Sequence, residues 1–160
     1  MSDLQHVTIY TDGACLGNPG PGGYGAVLLF GEQRRELSEG FRRTTNNRME
    51  ILAVVAALRA LRHPCDVTVY SDSQYVVNAM GKGWARRWRA SGWMRTPTEP
   101  ARNADLWEDL LALCQTHRVR FCWVRGHAGH RENERCDGLS VAAARGPAWS
   151  VDEVYERGGH

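Results

Sequence analysis

Asp12 and Asp72 each close a short run of nearly the same composition, VTIYTD and VTVYSD. Both runs alternate β-branched residues with Thr and Tyr, the pattern of a strand, and both end on a carboxylate. Two such strands lying side by side and parallel would put both acids on one face, because side chains alternate with a period of two. Glu50 opens a helical pattern in NNRMEI, and Asp137 sits inside another in ERCDGLS. Taken singly, Glu50 is an ordinary first-turn acid favoured by the helix dipole, and Asp137 is a solvated helix face. As a group they imply something else. Two carboxylates about 4 Å apart repel by roughly 4 kcal/mol at an effective dielectric near 20, so a cation has to hold them together. Oxygen-only ligands suit Mg²⁺ or Mn²⁺, hard ions that keep waters and accept phosphate oxygens. Two such ions can activate a water and stabilise the leaving oxygen of a phosphodiester.

Other residues could serve the same chemistry. His127 stands in VRGHAGH between Gly126 and Gly129, after a strand and before a helix. A lone loop histidine is usually just solvated, yet an imidazole on a mobile loop can also shuttle a proton at a site's rim. His130 reads as the start of the helix. Asn18, Asn46, Asn47 and Gln74 flank the acids in sequence. Asn at a helix start is ordinarily a cap, and Asn46 alone reads as one. Together the amides could donate to and accept from ribose 2′-hydroxyls and minor-groove base edges, which separate RNA from DNA. The stretch KGWARRWRASGWMR (82–95) carries Lys82, Arg86, Arg87, Arg89 and Arg95 with no acid. Removing those five charges from the net +2 leaves the remainder at −3, so the basic segment suggests one localised polyanion contact. Trp84 and Trp88 lie one helical turn apart within it. They read as packing for a short helix whose other face carries the arginines.

The elements that must position these groups are readable in outline. Strands are expected over 6–12, 24–30 and 34–44, with the stretch 16–23 (LGNPGPGG) a turn by composition and Gly31 at a hairpin. Ile51, Val54, Val55, Leu58 and Leu61 then follow helical spacing, and Pro64 closes that helix. A strand over 66–71 comes next, and Ser73 caps a short helix through Met80. Leu106, Leu110 and Leu113 mark another helix, 119–124 a fifth strand, and HRENERCDGLSVAAARG a last helix. The stretch from Pro147 to His160 has no period and is expected to be loosely held. Three consecutive strands followed by strands separated by helices give an α/β fold. Its mixed five-stranded sheet carries helices on both faces, and ligands gather at the carboxyl ends of the parallel strands.

Bulk properties exclude several classes. A chain of 160 residues with 42% hydrophobic content makes one domain with a real core. Cys15, Cys65, Cys114, Cys122 and Cys136 are odd in number and lack a CxxC pair, so a disulfide framework and thiolate metal sites are not expected. With no signal region and no apolar run near the roughly 20 residues of a spanning helix, the reading is a soluble cytoplasmic protein.

The stretches TDGACLGNPGPGGYGAVL, TTNNRMEILAVVAAL, YSDSQYVVNAM, ADLWEDL and WVRGHAGHRENERCDGLS together resemble the bacterial type-1 ribonuclease H family. The resemblance covers about nine-tenths of the chain with its motifs in family order. It implies the ribonuclease H fold and a single catalytic domain over 1–146, a monomer that hydrolyses the RNA strand of an RNA–DNA hybrid to 5′-phosphate and 3′-hydroxyl ends. It places the metal-binding acids at Asp12, Glu50, Asp72 and Asp137. Asp12 is shared by two Mg²⁺ ions, Asp137 is on the ion that activates water, and Glu50 and Asp72 are on the ion beside the leaving group. It gives His127 a part in proton transfer or product release. It also implies minor-groove contacts from Asn18, Asn46, Asn47 and Gln74, and a pocket for a DNA-strand phosphate at Arg43, Thr45 and Asn103. The family's basic protrusion falls on 82–95, with Trp84, Arg86, Arg87, Trp88 and Arg89.

Two places depart from the family pattern. GKGW (81–84) carries an extra residue and two glycines before the protrusion helix, and Gly138 follows Asp137 where an acid is usual. Two other functions fit the same outline: a metal-dependent DNA nuclease or resolvase on this fold, and a hybrid-binding module without catalysis. The 2′-hydroxyl readers and the protrusion disfavour the first, and the complete acid set disfavours the second.

Overall fold

The computed structural model describes residues 4–125 and 130–158. β1 (Gln5–Cys15), β2 (Gly20–Phe30) and β3 (Gln33–Thr44) form an antiparallel meander. The chain continues through α1 (Asn46–Arg59), β4 (Cys65–Ser71), α2 (Gln74–Gly81), α3 (Trp84–Ala90), α4 (Ala104–Thr116), β5 (Arg118–Trp123) and α5 (Arg131–Ala144). It closes with β6 (Trp149–Ser150) and α6 (Glu153–Glu156). The sheet order is β5-β4-β1-β2-β3-β6, with β4 parallel to β1 and β5 parallel to β4.

The duplicated run in the sequence is a literal pairing. Thr8 lies opposite Thr68, Tyr10 opposite Tyr70 and Thr11 opposite Ser71. Tyr10 and Tyr70 stack with ring centroids 5.0 Å apart, and the next residue after the pairing on each strand that shares their face is the acid. Val7, Ile9, Val67 and Val69 point to the other face and bury against Ile51, Val54, Val55 and Leu58 of α1. Burying each such side chain is worth about 1.5–3 kcal/mol, which fixes strand parity and with it the face on which Asp12 emerges. Trp107 of α4 is fully buried in the same cluster, with Tyr75 at 5.3 Å and Trp88 at 6.1 Å between ring centroids.

Several boundaries differ from the sequence expectation. The glycine-rich stretch is a turn only to Pro19, and β2 already runs from Gly20. A Cβ at Gly22 would stand 3.2 Å from Met49 Cγ of α1, and one at Gly23 would stand 2.6 Å from the Ser140 carbonyl oxygen of α5. These glycines let helices approach the sheet from both sides instead of marking a loop. Helix α1 ends at Arg59, before Leu61 and Pro64, and its cap is Thr45, whose hydroxyl accepts from the Arg48 N–H at 3.2 Å. Asn46 is therefore the first helical residue and not the cap. Ser73 caps α2 as expected, accepting from the Val76 N–H at 3.2 Å.

Among the described residues the sheet has six strands and not five. β6 pairs in parallel with β3 at Gly40 and Phe41, so the segment after Pro147 is tied to the domain and not loose. Two residues of strand leave no periodic signal. What anchors the segment is chemical: the Trp149 indole N–H donates to the Ala144 carbonyl at 3.0 Å, and Asp152 is buried on a charged partner described below.

Candidate active site

Asp12, Glu50 and Asp72 meet where β1 and β4 end beside the start of α1, with one carboxylate oxygen from each within 4.8 Å of the others. Two of the three are buried, Asp12 at 5% and Glu50 at 6% exposure. The Gly13 N–H donates to Asp12 Oδ1 at 2.8 Å, and a Cβ at Gly13 would stand 2.6 Å from the Glu50 nitrogen. Glycine is thus required for α1 to bring Glu50 against the end of β1. The Trp123 indole N–H holds the carbonyl of Asp72 at 3.1 Å.

Burial and the nearby charge of Asp72 push the Asp12 carboxyl up to about 7, against the pull of the Gly13 N–H and a hydrogen bond from Glu50. Burial, followed by the charges of Asp12 and Asp72, raises the Glu50 carboxyl well above the carboxylate range. Both carboxyls are thus harder to ionise than ordinary ones in the absence of a cation. Glu50 Oε1 is buried with no hydrogen-bond partner among the described residues. A buried, unsatisfied carboxylate oxygen in a cluster of like charge is what a hard divalent cation would relieve. The residues fit the expected ion. Asp137, half-buried on α5, lies outside this tight group, yet it is near enough for its charge to raise Asp12. Gly138 beside it has open space around its Cβ position. His127 lies outside the described residues.

Several of the expected substrate-reading residues lie together around the start of α1. Asn18 Oδ1 accepts from the Asn46 N–H at 3.0 Å, which joins the β1–β2 loop to the start of α1. Asn47 is exposed, and Gln74 is exposed on the first turn of α2. A cavity of about 250 Å³ is lined by Asn18, Thr45, Asn47, Arg102, Asn103 and Tyr155. It unites residues from different elements, including Thr45 and Asn103 of the expected phosphate pocket. Arg43 of that set is exposed on β3 and is not among the lining residues. Asn103 is buried in a left-handed backbone conformation (φ 64°), and its amide donates to the Tyr75 hydroxyl at 3.1 Å.

Arg48 was not singled out in the sequence, and it organises this region. It is 1% exposed and forks onto two acids, Asp105 at 2.7 and 2.9 Å and Asp152 at 2.7 and 3.0 Å. The Thr44 hydroxyl also donates to Asp152 at 2.7 Å. One guanidinium thereby clasps α1, the start of α4 and the segment after β6. A signal was present: a cation in the first turn opposes the helix dipole and needs a reason. Tyr155, reached through the same segment, was likewise invisible without periodicity.

In the basic segment, Gly83 takes a left-handed conformation (φ 78°) that separates α2 from α3, so the two glycines of GKGW make a break and α3 starts at Trp84. Trp84 and Trp88 pack together at 6.4 Å, with Trp88 continuing to Trp107. Arg86 and Arg87 are exposed, whereas Arg89 is half-buried. Arg87 donates to the Lys82 carbonyl at 3.1 Å, and the Lys82 ammonium lies 5.7 Å from the centre of the Trp84 ring.

The family model for RNase H matches residues 4–145. A protein named ribonuclease H from Desulforamulus reducens is 62% identical over 151 residues, covering 94% of this chain and 95% of its own. Among solved structures, LC9-RNase H1, described as a type 1 RNase H with the type 2 active-site motif, superposes with a TM-score of 0.81 at 34% identity, covering 98% of this chain and 82% of that one. LC11-RNase H1, solved in complex with an RNA/DNA hybrid, shares the fold with a TM-score of 0.67 at 23% identity, covering 87% of this chain and 96% of that one.

Proposed function

The chain belongs to the ribonuclease H family and is a nuclease, and from that premise we propose that it is an endonuclease cutting the RNA strand of RNA–DNA hybrids. Hydrolysis leaves 5′-phosphate and 3′-hydroxyl ends. The observation that carries this reading is the buried acid group Asp12, Glu50 and Asp72, with Glu50 Oε1 unsatisfied and Asp137 of α5 near enough to raise Asp12. These four acids would hold two Mg²⁺ ions, for which Mn²⁺ can substitute, with Asp12 shared, Asp137 on the water side, and Glu50 and Asp72 on the leaving-group side. When bound, the ions supply Lewis acidity to the scissile phosphate and a nucleophilic water near neutrality.

The chain's own residues do the rest. Asn18, Asn46, Asn47 and Gln74 offer amides to 2′-hydroxyls and base edges of the minor groove. The cavity at Thr45 and Asn103 takes a phosphate of the DNA strand, with Arg43 outside it as a further backbone contact. Trp84, Arg86, Arg87, Trp88 and Arg89 carry the duplex backbone on the protrusion. His127 takes part in proton transfer or in product release. Backbone-directed contacts read little sequence, so cutting is weakly sequence-dependent.

We place the enzyme in the cytoplasm as a monomer, which five cysteines without a CxxC pair fit. Among the described residues no helix is long and apolar enough to cross a membrane. The test is cleavage of one sequence offered as hybrid, duplex DNA and duplex RNA in Mg²⁺. Cutting confined to the hybrid is expected. Cutting of duplex DNA would favour a DNA nuclease, and binding of hybrid without cutting would favour a non-catalytic module.

A further inference from the structure

A cavity with an apolar floor lies at the opposite end of the sheet from the acids. It holds about 500 Å³ between the start of β1, the end of β2, the start of β3 and the chain leaving α1. Gln5 on its wall and Asp12 are seven residues apart on β1, about 23 Å at roughly 3.3 Å per residue. The volume falls within the range of roughly 300–1,000 Å³ typical of small-molecule sites.

Its floor is apolar: Val7 and Leu28 are 1% exposed, and Phe30 and Leu61 are half-buried beside them. Its rim is cationic. Arg35, Arg62 and His63 are all exposed there, and no acidic residue is among the described lining residues. Arg34 also reaches the rim, but its guanidinium is taken by Glu36 at 2.8 Å and Glu132 at 2.8 Å. Arg35 and Arg62 carry no ion pair among the described residues. Gln5 and Gln33 add two amides to the wall. Arg59, by contrast, is paired with Asp109 at 3.0 Å and Arg135 with Glu36 at 2.7 Å. Two guanidiniums without acid partners thus border an apolar hollow.

We propose that this cavity is a second binding site, separate from the hybrid-binding face, for a small amphiphilic anion. Its ligand has an apolar planar or aliphatic body seated on Val7, Leu28, Phe30 and Leu61. A terminal phosphate or carboxylate is forked by Arg35 and Arg62, since guanidinium geometry matches both groups in a bidentate manner. A bare inorganic anion would leave the floor unused, and a neutral apolar molecule would leave the two cations unpaired. The Cys65 thiol at the base of the cavity is 2% exposed and raised by burial, so recognition there is non-covalent.

The test uses 1-naphthyl phosphate as probe, titrated into the full-length protein and followed by amide NMR shifts. Inorganic phosphate and 2-naphthol serve as the charge-only and body-only arms. A nucleoside monophosphate and a medium-chain fatty acid then distinguish the sources of ligand. Saturable shifts at Gln5, Phe30, Gln33, Leu61, Arg62, His63 and Cys65 are expected, tighter for 1-naphthyl phosphate than for either partial arm. Each lost charge-assisted hydrogen bond costs about tenfold in affinity, so Arg35→Glu with Arg62→Glu weakens the probe by roughly tenfold or more. Both positions are exposed, the same spectra report that the variant is folded, and hybrid cleavage is expected to stay at wild-type level. Shifts confined to Trp84–Arg95 or to Thr45 and Asn103, equal affinity for inorganic phosphate, or a probe affinity unmoved in the double variant would each overturn the proposal.

Discussion

Replacing Asp72 with Asn removes one charge from the acid group while keeping its shape, and the consequence for the metal-free protein can be worked out. Asp12 titrates at about 7 in the folded chain against an ordinary 3.8. The folded state thus binds a proton more tightly than the unfolded state, and stability falls as pH rises through the window from about 4 to 7. At 1.36 kcal/mol per pKa unit, the full penalty above pH 7 is roughly 4 kcal/mol. Burial is its largest cause and the charge of Asp72 the next, so Asp72→Asn is expected to recover about 1–2 kcal/mol. For a domain of this size that is a rise of roughly 2–8 °C in Tm. The assay is thermal unfolding in EDTA at pH 8 and at pH 4.5, for wild type and variant. The rise should appear at pH 8 and shrink at pH 4.5, where Asp12 is protonated in the folded chain of both. Excess Mg²⁺ should reverse the ranking, because wild type gains ligand-binding energy that the variant has lost. Equal Tm values in EDTA at pH 8, or a lower one for the variant, would refute the claim that these carboxylates repel one another in one site.

Three further outcomes follow from particular side chains. His127→Ala is expected to slow turnover substantially but less than Asp12→Asn, as measured by single-turnover cleavage, because the acids still hold the nucleophilic machinery. Arg86→Ala, Arg87→Ala and Arg89→Ala combined should raise KM and keep kcat. The log–log salt slope should flatten by about 2 units, since only Arg86 and Arg87 are fully exposed and each phosphate contact contributes roughly 0.7–0.9. Arg48→Ala leaves Asp152 buried without its cation, and chemical denaturation is expected to show a loss of about 3–5 kcal/mol; a loss under 1 kcal/mol would mean the clasp is incidental.

Much of this was legible because repetition and periodicity are local. The duplicated run gave the β1–β4 pairing and the shared face of Asp12 and Asp72, and the spacing of Ile51, Val54, Val55 and Leu58 gave α1 and its buried stripe. Long-range contacts were not legible. Gly22 and Gly23 looked like turn residues because a sequence does not show that helices press on β2 from both sides. Trp149 and Ser150 form a strand only because β3 offers an edge, and no two-residue run announces that. Arg48 carried a weak signal, a cation at the wrong end of a helix, but its acids lie far away in sequence at Asp105 and Asp152. Asp12, Glu50 and Asp72 were found from strand ends and a helix start, whereas the need for Gly13 between them emerged only from the close approach of α1.

Under the proposed function, these acids cut RNA opposite DNA with the help of divalent cations. The most direct measurement is a hybrid labelled on one strand at a time, incubated with the enzyme in Mg²⁺, in EDTA, and in EDTA with Mg²⁺ restored. The predicted result is fragmentation of the RNA strand alone, abolished by EDTA, recovered with Mg²⁺ and absent for Asp12→Asn, which still binds the hybrid. Cutting of the DNA strand, cutting that persists in EDTA, or full activity in Asp12→Asn would contradict it.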